Sequence, residues 1–234
     1  MRRLLPALLT LALAVAFAGL GWWQIERRAW KIDLIDRVET RVTAPPVAPP
    51  GPGDWADLTR EDAEYLRVSS GGRFRGETSL VQAVTELGAG YWVLQPFVTD
   101  DGPTILVNRG FVPSRDAEIT RPEGPVEVTG LLRMTEPDGG FLRANDPKAG
   151  RWYSRDVDAI ARAMDLGQVA PYFIDAEAGA NGGAPPEGGL TVIAFRNTHM
   201  VYALTWFTLM AMSLGATWLV LRVRPKGRPT GADG

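Results

Sequence analysis

The sequence predicts an α+β membrane protein in which two transmembrane helices, one N-terminal and one C-terminal, flank a single β-rich extracytoplasmic domain. Uncharged runs of 22 residues occupy positions 4–25 and 200–221. Each run would span about 33 Å as a helix, which is enough to cross a hydrocarbon core of about 30 Å. Between them, short β-forming stretches alternate with turns that contain glycine and proline, a pattern typical of a β-rich domain with few helices.

Composition restricts the chemistry of this chain. The 234 residues include no cysteine and one histidine, and the formal net charge is −2. Without cysteine there can be no disulfide, thiol catalysis or thiolate metal site, and one histidine excludes a multi-histidine metal site within a single chain. A nucleic-acid-binding protein would normally show a concentrated basic face, and the net charge of −2 argues against one, so we predict no nucleic-acid partner. Hydrolase, metalloprotease and P-loop motifs are missing from the sequence, so we do not predict an enzyme.

The first span and its short cytoplasmic N-terminus are predicted to occupy residues 1–25. The alternative is a cleaved signal peptide, because Ala16-Phe17-Ala18 has the small-x-small form that signal peptidase accepts. The apolar run continues past that site and is longer than a signal peptide requires, which favours an uncleaved anchor.

Residues 26–53 are predicted to connect the first span to the domain. From position 22 to 42 there is no proline or glycine, and Trp30, Leu34, Val38 and Val42 recur every four residues, as in an amphipathic helix. We favour a stalk packed on the domain over a helix lying on the membrane surface. The proline-rich residues 43–53 then predict an extended, stiff linker.

Residues 54–198 are predicted to form the β-rich domain, as a small barrel or a sandwich that the spacing does not distinguish. One helix is clear, because Asp156 can cap the segment Val157 to Leu166 and Gly167 can end it. A turn at 99–103 predicts a hairpin. The predicted strands are residues 64–68, 73–76, 91–98, 104–112, 126–134, 171–175 and 191–195.

The second span is predicted at residues 199–221 and is followed by a basic tail, residues 222–234. Four lysine and arginine residues in this tail place it in the cytoplasm by the positive-inside rule. Both termini are then cytoplasmic and the domain lies outside. Arg27, Arg28 and Lys31 favour the opposite orientation, but long translocated domains largely escape the rule.

Small residues predict where the two spans meet. Ala12, Ala16 and Gly19 recur near one face of the first span, and Ala211 and Gly215 do so in the second. This spacing permits close helix contact, so we predict that the spans pair with each other or pack on a partner protein through these residues.

His199, the single histidine, stands at the start of the second span. Helical spacing places it on one face with Tyr202, Ala203, Trp206 and Met210. It could contact a helix end or lipid headgroup, or it could be an axial ligand of haem iron with the aromatic residues against the porphyrin. Arginine pairs with carboxylate in a bidentate fork, so three arginines could bind haem propionates or could simply be surface charges: Arg27, Arg109 and Arg196.

Four colinear motifs make the chain resemble the Surfeit locus protein 1 family. The resemblance runs from Gly19 to about Phe207 and includes both spans. The matching segments are Gly19-Leu20-Gly21-Trp22-Trp23-Gln24 with residues 26–31, Val107-Asn108-Arg109-Gly110-Phe111-Val112-Pro113, residues 151–156 with 172–176, and Arg196-Asn197-Thr198-His199 through Phe207. Trp22 departs from the family pattern, which often has a small or polar residue there.

The resemblance implies an assembly factor for haem-copper cytochrome c oxidase in the bacterial plasma membrane, with a periplasmic domain. It implies a haem a chaperone that binds haem a transiently and helps insert it into the large catalytic subunit. Oxidase subunit one, the haem a synthase and the lipid bilayer would be its partners. The alternative is a scaffold that binds these proteins without touching haem.

The same resemblance assigns the candidate site. The transmembrane histidine of the family matches His199, which would bind the iron. The tryptophan of the family's glycine-tryptophan-glutamine motif matches Trp23, beside Gln24. In the resulting hypothesis Tyr202 and Trp206, on the helical face of His199, border the macrocycle, and Arg196 is a candidate partner for a propionate.

Overall fold

A computed structural model of the chain describes residues 3–137, 139–140, 143–191 and 198–222. The chain divides into two compact units, one formed by Met1–Asp36 with Ala194–Gly234 and the other by Arg37–Ile193. The first unit contains the two long helices, and the second contains the β-rich domain. The predicted class, α+β with apolar helices at both ends of a β-rich domain, is confirmed.

The helical unit is built from α1, Leu4–Thr43, and α4, His199–Arg222. Both helices are long and apolar enough to cross a membrane. Large apolar side chains such as Leu5, Leu8 and Met212 are exposed on their outer surfaces. A helix satisfies its own backbone hydrogen bonds, so an apolar outer surface of this kind is suited to lipid.

The two helices pack along residues that recur every seven positions. On α1 one row consists of Ala7, Ala14 and Gly21, all buried. A second row consists of Thr10, Phe17 and Gln24, which contact α4. The hydroxyl oxygens of Thr10 and Thr217 lie 2.7 Å apart. The rings of Phe17 and Trp206 stack with centroids 5.7 Å apart.

The predicted pairing of the spans is therefore present, but it does not use the small residues that were predicted to mediate it. Ala12, Ala16, Gly19, Ala211 and Gly215 are all exposed. A Cβ atom added at Gly19 or Gly215 would meet no atom within 4 Å. Several small residues share each helix, and only the seven-residue repeat identifies the set that faces the partner.

The last turns of α1 belong to the β-rich unit. The Arg37 guanidinium donates to the Glu61 carboxylate at 2.5 Å, and that of Arg41 donates to the carbonyl oxygens of Glu61 and Glu64. Val38 is buried. The predicted amphipathic continuation is thus helical to Thr43, and its end packs on the domain near the short helix α2, Arg60–Ala63.

The proline-rich segment after α1 is extended, as predicted, and is hydrogen-bonded to the domain. The Val47 N–H donates to Arg67 O at 3.1 Å, and the Ser69 N–H donates to Val47 O at 2.9 Å. Further along, Pro50 O accepts from the Tyr172 hydroxyl at 2.7 Å. These contacts attach the segment to the edge of the sheet.

Six strands form the sheet in the order β1-β5-β6-β4-β3-β2, and an additional pairing of β1 with β3 closes five of them into a barrel. Neighbouring strands are antiparallel except β4 and β6, which are parallel. The domain is therefore a small barrel and not a sandwich. The strands are β1 Arg67–Phe74, β2 Ser79–Thr85, β3 Gly88–Thr99, β4 Thr104–Val112, β5 Val126–Met134 and β6 Val169–Ala176.

Closure of the barrel depends on Gly72. This residue pairs with Val126 of β5 and with Thr99 of β3. A Cβ atom there would lie 2.3 Å from Val98 O, so only glycine allows β1 to pass from one neighbour to the other. The strands predicted at 64–68 and 73–76 are correspondingly a single strand, which the prediction broke at its glycines.

The remaining elements agree with the predictions in part. The helix α3, Val157–Ala163, is capped as predicted, because the Asp156 carboxylate accepts from the Ala159 N–H at 3.0 Å. It ends before Leu166, and Asp165 follows with a positive φ of 52°. Strand β2 was not predicted. Most of the strand predicted at 191–195 lies outside the described residues.

Two apolar clusters stabilise the domain. Alternate residues of β4 point to different clusters: Ile105 and Val107 to one, Leu106 to the other. The first cluster fills the barrel with residues from β1, β3, β4, β5 and β6. The second packs α3 and Trp152 against the outer face of the sheet, through Val157 and Ile160.

Candidate functional site

The candidate site is centred on the contact between α1 and α4 at His199. Its Nδ1 lies 2.8 Å from Oε1 of Gln24. An amide oxygen only accepts hydrogen bonds, so Nδ1 is the donor in this pair, and in the neutral ring Nε2 keeps its lone pair. The part-buried imidazole is thus held in one orientation by α1 and can offer Nε2 to a ligand. The structure brings these two predicted site residues together.

The aromatic residues of the predicted site are divided between two surfaces. Trp206 faces α1 and stacks on Phe17. Tyr202 is 54% exposed and Trp23 is also 54% exposed. Helical spacing keeps His199, Tyr202 and Trp206 near one face of α4, but Tyr202 stays largely exposed because packing with α1 covers a narrower stripe than that face. Arg196 lies outside the described residues.

Phe17 is a contact that sequence reasoning missed. It lies seven residues before Gln24 and seven after Thr10, and all three contact α4. This heptad spacing was a usable signal in the sequence.

The other arginines proposed for propionates have local partners. The guanidinium of Arg27 lies 4.0 Å from the ring centroid of Trp30. Arg109 is 1% exposed, and it donates to Gln95 Oε1 at 3.0 Å and to Asn181 Oδ1 at 2.9 Å. Burial lowers the pKa of Arg109 to about 10. Since Arg109 is enclosed within the domain, it holds the barrel wall together and cannot reach an external carboxylate.

A buried polar network involves other residues that carried the resemblance. Asp175 is 4% exposed and accepts from Asn108 Nδ2 at 2.7 Å, Arg133 Nη1 at 3.2 Å and Arg155 Nη1 at 3.1 Å. Burial disfavours the charge on Arg133, but Asp175 and hydrogen-bonded Glu64 raise its pKa overall. The network links β4, β5 and β6 to the start of α3, and it has a structural role.

The domain contains a cavity of about 550 Å³ beside Leu87 and Phe111, lined mostly by glycine, alanine and proline. Glu187 is the ionisable residue of its lining, so the cavity presents no acid–base pair. Within the described ranges, no group of three or more histidine, cysteine, aspartate or glutamate side chains could hold a metal ion. The candidate for binding a metal ion that arrives as part of a cofactor is therefore the imidazole of His199.

Comparison with known proteins identifies relatives that match most of the chain. Residues 11–211 match the model of the SURF1 family. Surfeit locus protein 1 of Rattus norvegicus is 38% identical over 220 residues, which cover 85% of this chain and 69% of the relative. The Homo sapiens protein of that name is 37% identical over 86% of this chain and 72% of its own length. A SURF1-like protein of Monosiga brevicollis is 34% identical over 91% and 85%.

Proposed function

This chain belongs to the SURF1 family, and from that premise we propose that it is an assembly factor for haem-copper cytochrome c oxidase. Its specific role is that of a haem a chaperone, which binds haem a transiently and helps to insert it into the large catalytic subunit. It is not an enzyme. Its partners are oxidase subunit one, the haem a synthase and the lipid bilayer.

The observation that carries this proposal is the hydrogen bond between Gln24 and His199. Haem iron takes neutral imidazole as an axial ligand, and a hydrogen bond to the other ring nitrogen fixes the tautomer and orientation of the ring. Gln24 supplies that second contact at 2.8 Å. The residues present therefore fit haem a, with His199 Nε2 as the atom that would bind the iron.

Aromatic side chains near His199 would complete the site. Trp206, which lies two helical turns from His199 and stacks on Phe17, would border the macrocycle. Tyr202 and Trp23, both more than half exposed, remain available to contact a flat ligand that arrives from outside the helix pair. A carboxylate of the ligand would be paired by Arg196. A chaperone must release its cargo, so a single imidazole ligand supports a weak, exchangeable complex.

The chain would lie in the bacterial plasma membrane with both termini in the cytoplasm and the barrel in the periplasm. The basic residues after α4 support this orientation through the positive-inside rule. The barrel, outside the membrane, is then the part of the chain that contacts soluble surfaces of the oxidase subunit.

The test is the visible absorption spectrum of the detergent-purified protein co-produced with the enzymes of haem a synthesis. We expect a haem band in the wild type, its loss or shift in His199→Ala, and weakened retention in Gln24→Leu. Thr10→Val is the matched control, because it removes a polar contact between the same two helices far from His199. Retention of an unchanged band by His199→Ala would contradict the ligand assignment.

The alternative function is a scaffold that joins oxidase subunit one and the haem synthase without binding haem. Exposed apolar faces on both helices favour it as a second candidate, because they could pack on membrane partners. Absence of haem from the wild type, with oxidase assembly still dependent on the protein, would support the scaffold and exclude the chaperone.

A further inference from the structure

A pocket of about 450 Å³ lies on the β-rich domain where β2 and β3 meet the segment 143–153. Three arginines and two tyrosines dominate its lining. The lining residues are Gln82, Tyr91, Arg115, Arg143, Ala149, Arg151, Trp152 and Tyr153.

The pocket is built on a firmly anchored segment. Trp152 is buried in the outer apolar cluster, and its carbonyl oxygen accepts from the Gln82 N–H of β2 at 2.8 Å. The Asn145 side chain accepts from the N–H groups of Tyr153 and Ser154 at 2.8 and 3.2 Å. These bonds fix the positions of the neighbouring arginines without using their charge.

Among the three guanidinium groups, that of Arg151 is the one with a carboxylate partner in the described residues. Arg151 pairs with Asp146 at 2.7 Å. Arg115 lies over the ring of Tyr91 at 4.8 Å and donates to Gly150 O, while Arg143 lies over the ring of Tyr153 at 5.5 Å. Within the described part of the chain, neither Arg115 nor Arg143 forms an ion pair. Both are exposed, so the pocket presents uncompensated positive charge in a protein whose net charge is −2.

Arg143 also borders the outer edge of β2, which pairs with Trp152 at Gln82 and continues to Val84. A second hollow shares Gln82, Arg143 and Tyr153 with the pocket and continues along Ala83 and Val84 of β2. The Gln82 N–H points away from β3, so the amide group of Val84, two residues on, points to the same outer edge.

Among the described residues no backbone group pairs with the outward amide of Val84, whose residue is 84% exposed. A strand edge that still has an unpaired amide group can accept an additional strand at that point. A small anion would use the arginines only, whereas an extended chain would use both the arginines and this edge.

We propose that the pocket and the adjacent β2 edge bind an extended, acidic segment of a partner protein. The segment lies along Val84 as an added strand, and its carboxylates pair with Arg115, Arg143 and Arg151. Arginine suits this role because its planar fork binds carboxylate with two parallel hydrogen bonds. Asp146 competes for Arg151 in the free protein. This site is independent of His199 and of haem.

The experiment measures binding of a fluorescent Glu-Val-Glu-Val-Glu-Val peptide to the full chain in detergent by anisotropy. We expect saturable binding that weakens with salt, and at least a roughly tenfold loss of affinity in Arg143→Gln and in Arg115→Gln, since each removes a charge-assisted pair. Asp146→Asn should bind several-fold more tightly, because it frees Arg151. Arg73→Gln is the control: Arg73 is exposed and pairs with Val98, about 23 Å along β3 from Tyr91.

Two further probes separate the components of the proposal. The peptide with every second amide N-methylated should bind weakly, because it cannot hydrogen-bond to the β2 edge as a strand. If it binds as tightly as the unmethylated peptide, the segment does not bind as an added strand. Citrate should displace the peptide only at a much higher concentration than the peptide itself. If citrate binds as tightly as the peptide, the pocket is a site for small anions, and the proposal that it binds a segment of a partner protein is wrong. Failure of the wild type to bind the peptide, or equal binding by all arginine variants, would overturn the site itself.

Discussion

Gly21 of α1 lies directly against the ring of Phe207 of α4. A Cβ atom at Gly21 would be 2.8 Å from two carbons of that ring. The helices can approach at this level only because residue 21 has no side chain.

Gly21→Leu should therefore separate the two helices. Overpacking of this kind costs about 1–3 kcal/mol. The chain has no cysteine, so Thr10→Cys with Thr217→Cys provides a clean cross-linking pair at positions whose side-chain oxygens lie 2.7 Å apart. We expect efficient disulfide formation in the Gly19→Leu background and strongly reduced formation with Gly21→Leu. Equal cross-linking in both backgrounds would contradict the packing at Gly21.

Gln24→Leu should change the tautomer of His199. Gln24 Oε1 holds the proton on Nδ1, whereas an isolated neutral imidazole prefers the proton on Nε2. The ¹⁵N chemical shifts of the single histidine, in protein labelled only at histidine, report which nitrogen is protonated. The wild type should show the Nδ1-H form, and the variant should move toward the Nε2-H form. If the wild type shows the Nε2-H form, Gln24 does not make Nε2 available as the ligand atom, and the proposal is contradicted.

Asp175→Ala should strongly destabilise the barrel. It removes the buried carboxylate that Arg133 and Arg155 share and leaves Glu64 and Glu136 as their remaining partners. Breaking a buried ion pair costs up to about 3–5 kcal/mol. Glu61→Ala removes the exposed pair with Arg37, whose side chains are 71% and 45% exposed, and should cost less than ~1 kcal/mol. Denaturant unfolding followed by tryptophan fluorescence compares the two. Similar losses for both variants would count against a special role of the network.

Tyr172 should make the barrel sensitive to high pH. Burial raises the pKa of its hydroxyl above the ordinary value of about 10, and the hydroxyl donates to Pro50 O. Because the folded pKa is the higher one, this stabilisation is complete below pH ~10 and is lost as the pH rises beyond it. Tyr172→Phe should cost about 1 kcal/mol at neutral pH and show a shallower fall of Tm between pH 9 and 11. An identical pH dependence in both proteins would disprove the assignment.

The sequence predicted correctly those elements whose local residue pattern is compatible with a single kind of structure. Long uncharged runs predicted both helices, and apolar, β-forming stretches bounded by turns predicted β3, β4, β5 and β6. The cap at Asp156 was correct because a carboxylate followed by an apolar periodic segment seldom means anything else. The choice between barrel and sandwich depended on the pairing of β1 with β3, a contact between distant residues that local patterns do not encode.

The candidate site was only partly predictable for a similar reason. The position of His199 at a helix start was visible in the sequence, but its partner Gln24 lies 175 residues away. Gln24, chosen by resemblance, contacts His199, whereas Tyr202, chosen by helical spacing, is largely exposed. The arginine pocket was missed altogether, since Arg115, Arg143 and Arg151 meet only through the pairing of a loop with β2.

The strand order also determines when the barrel can close during synthesis. Strand β6 lies between β4 and β5, and without it these two strands have no common neighbour. The chain must therefore reach Ala176 before the wall is complete, and until then the edges of β4 and β5 are open to other chains. Contacts between residues so distant in sequence form slowly. The most hazardous interval for aggregation thus comes just before α4 is made, when a chaperone that binds open strand edges would be needed most.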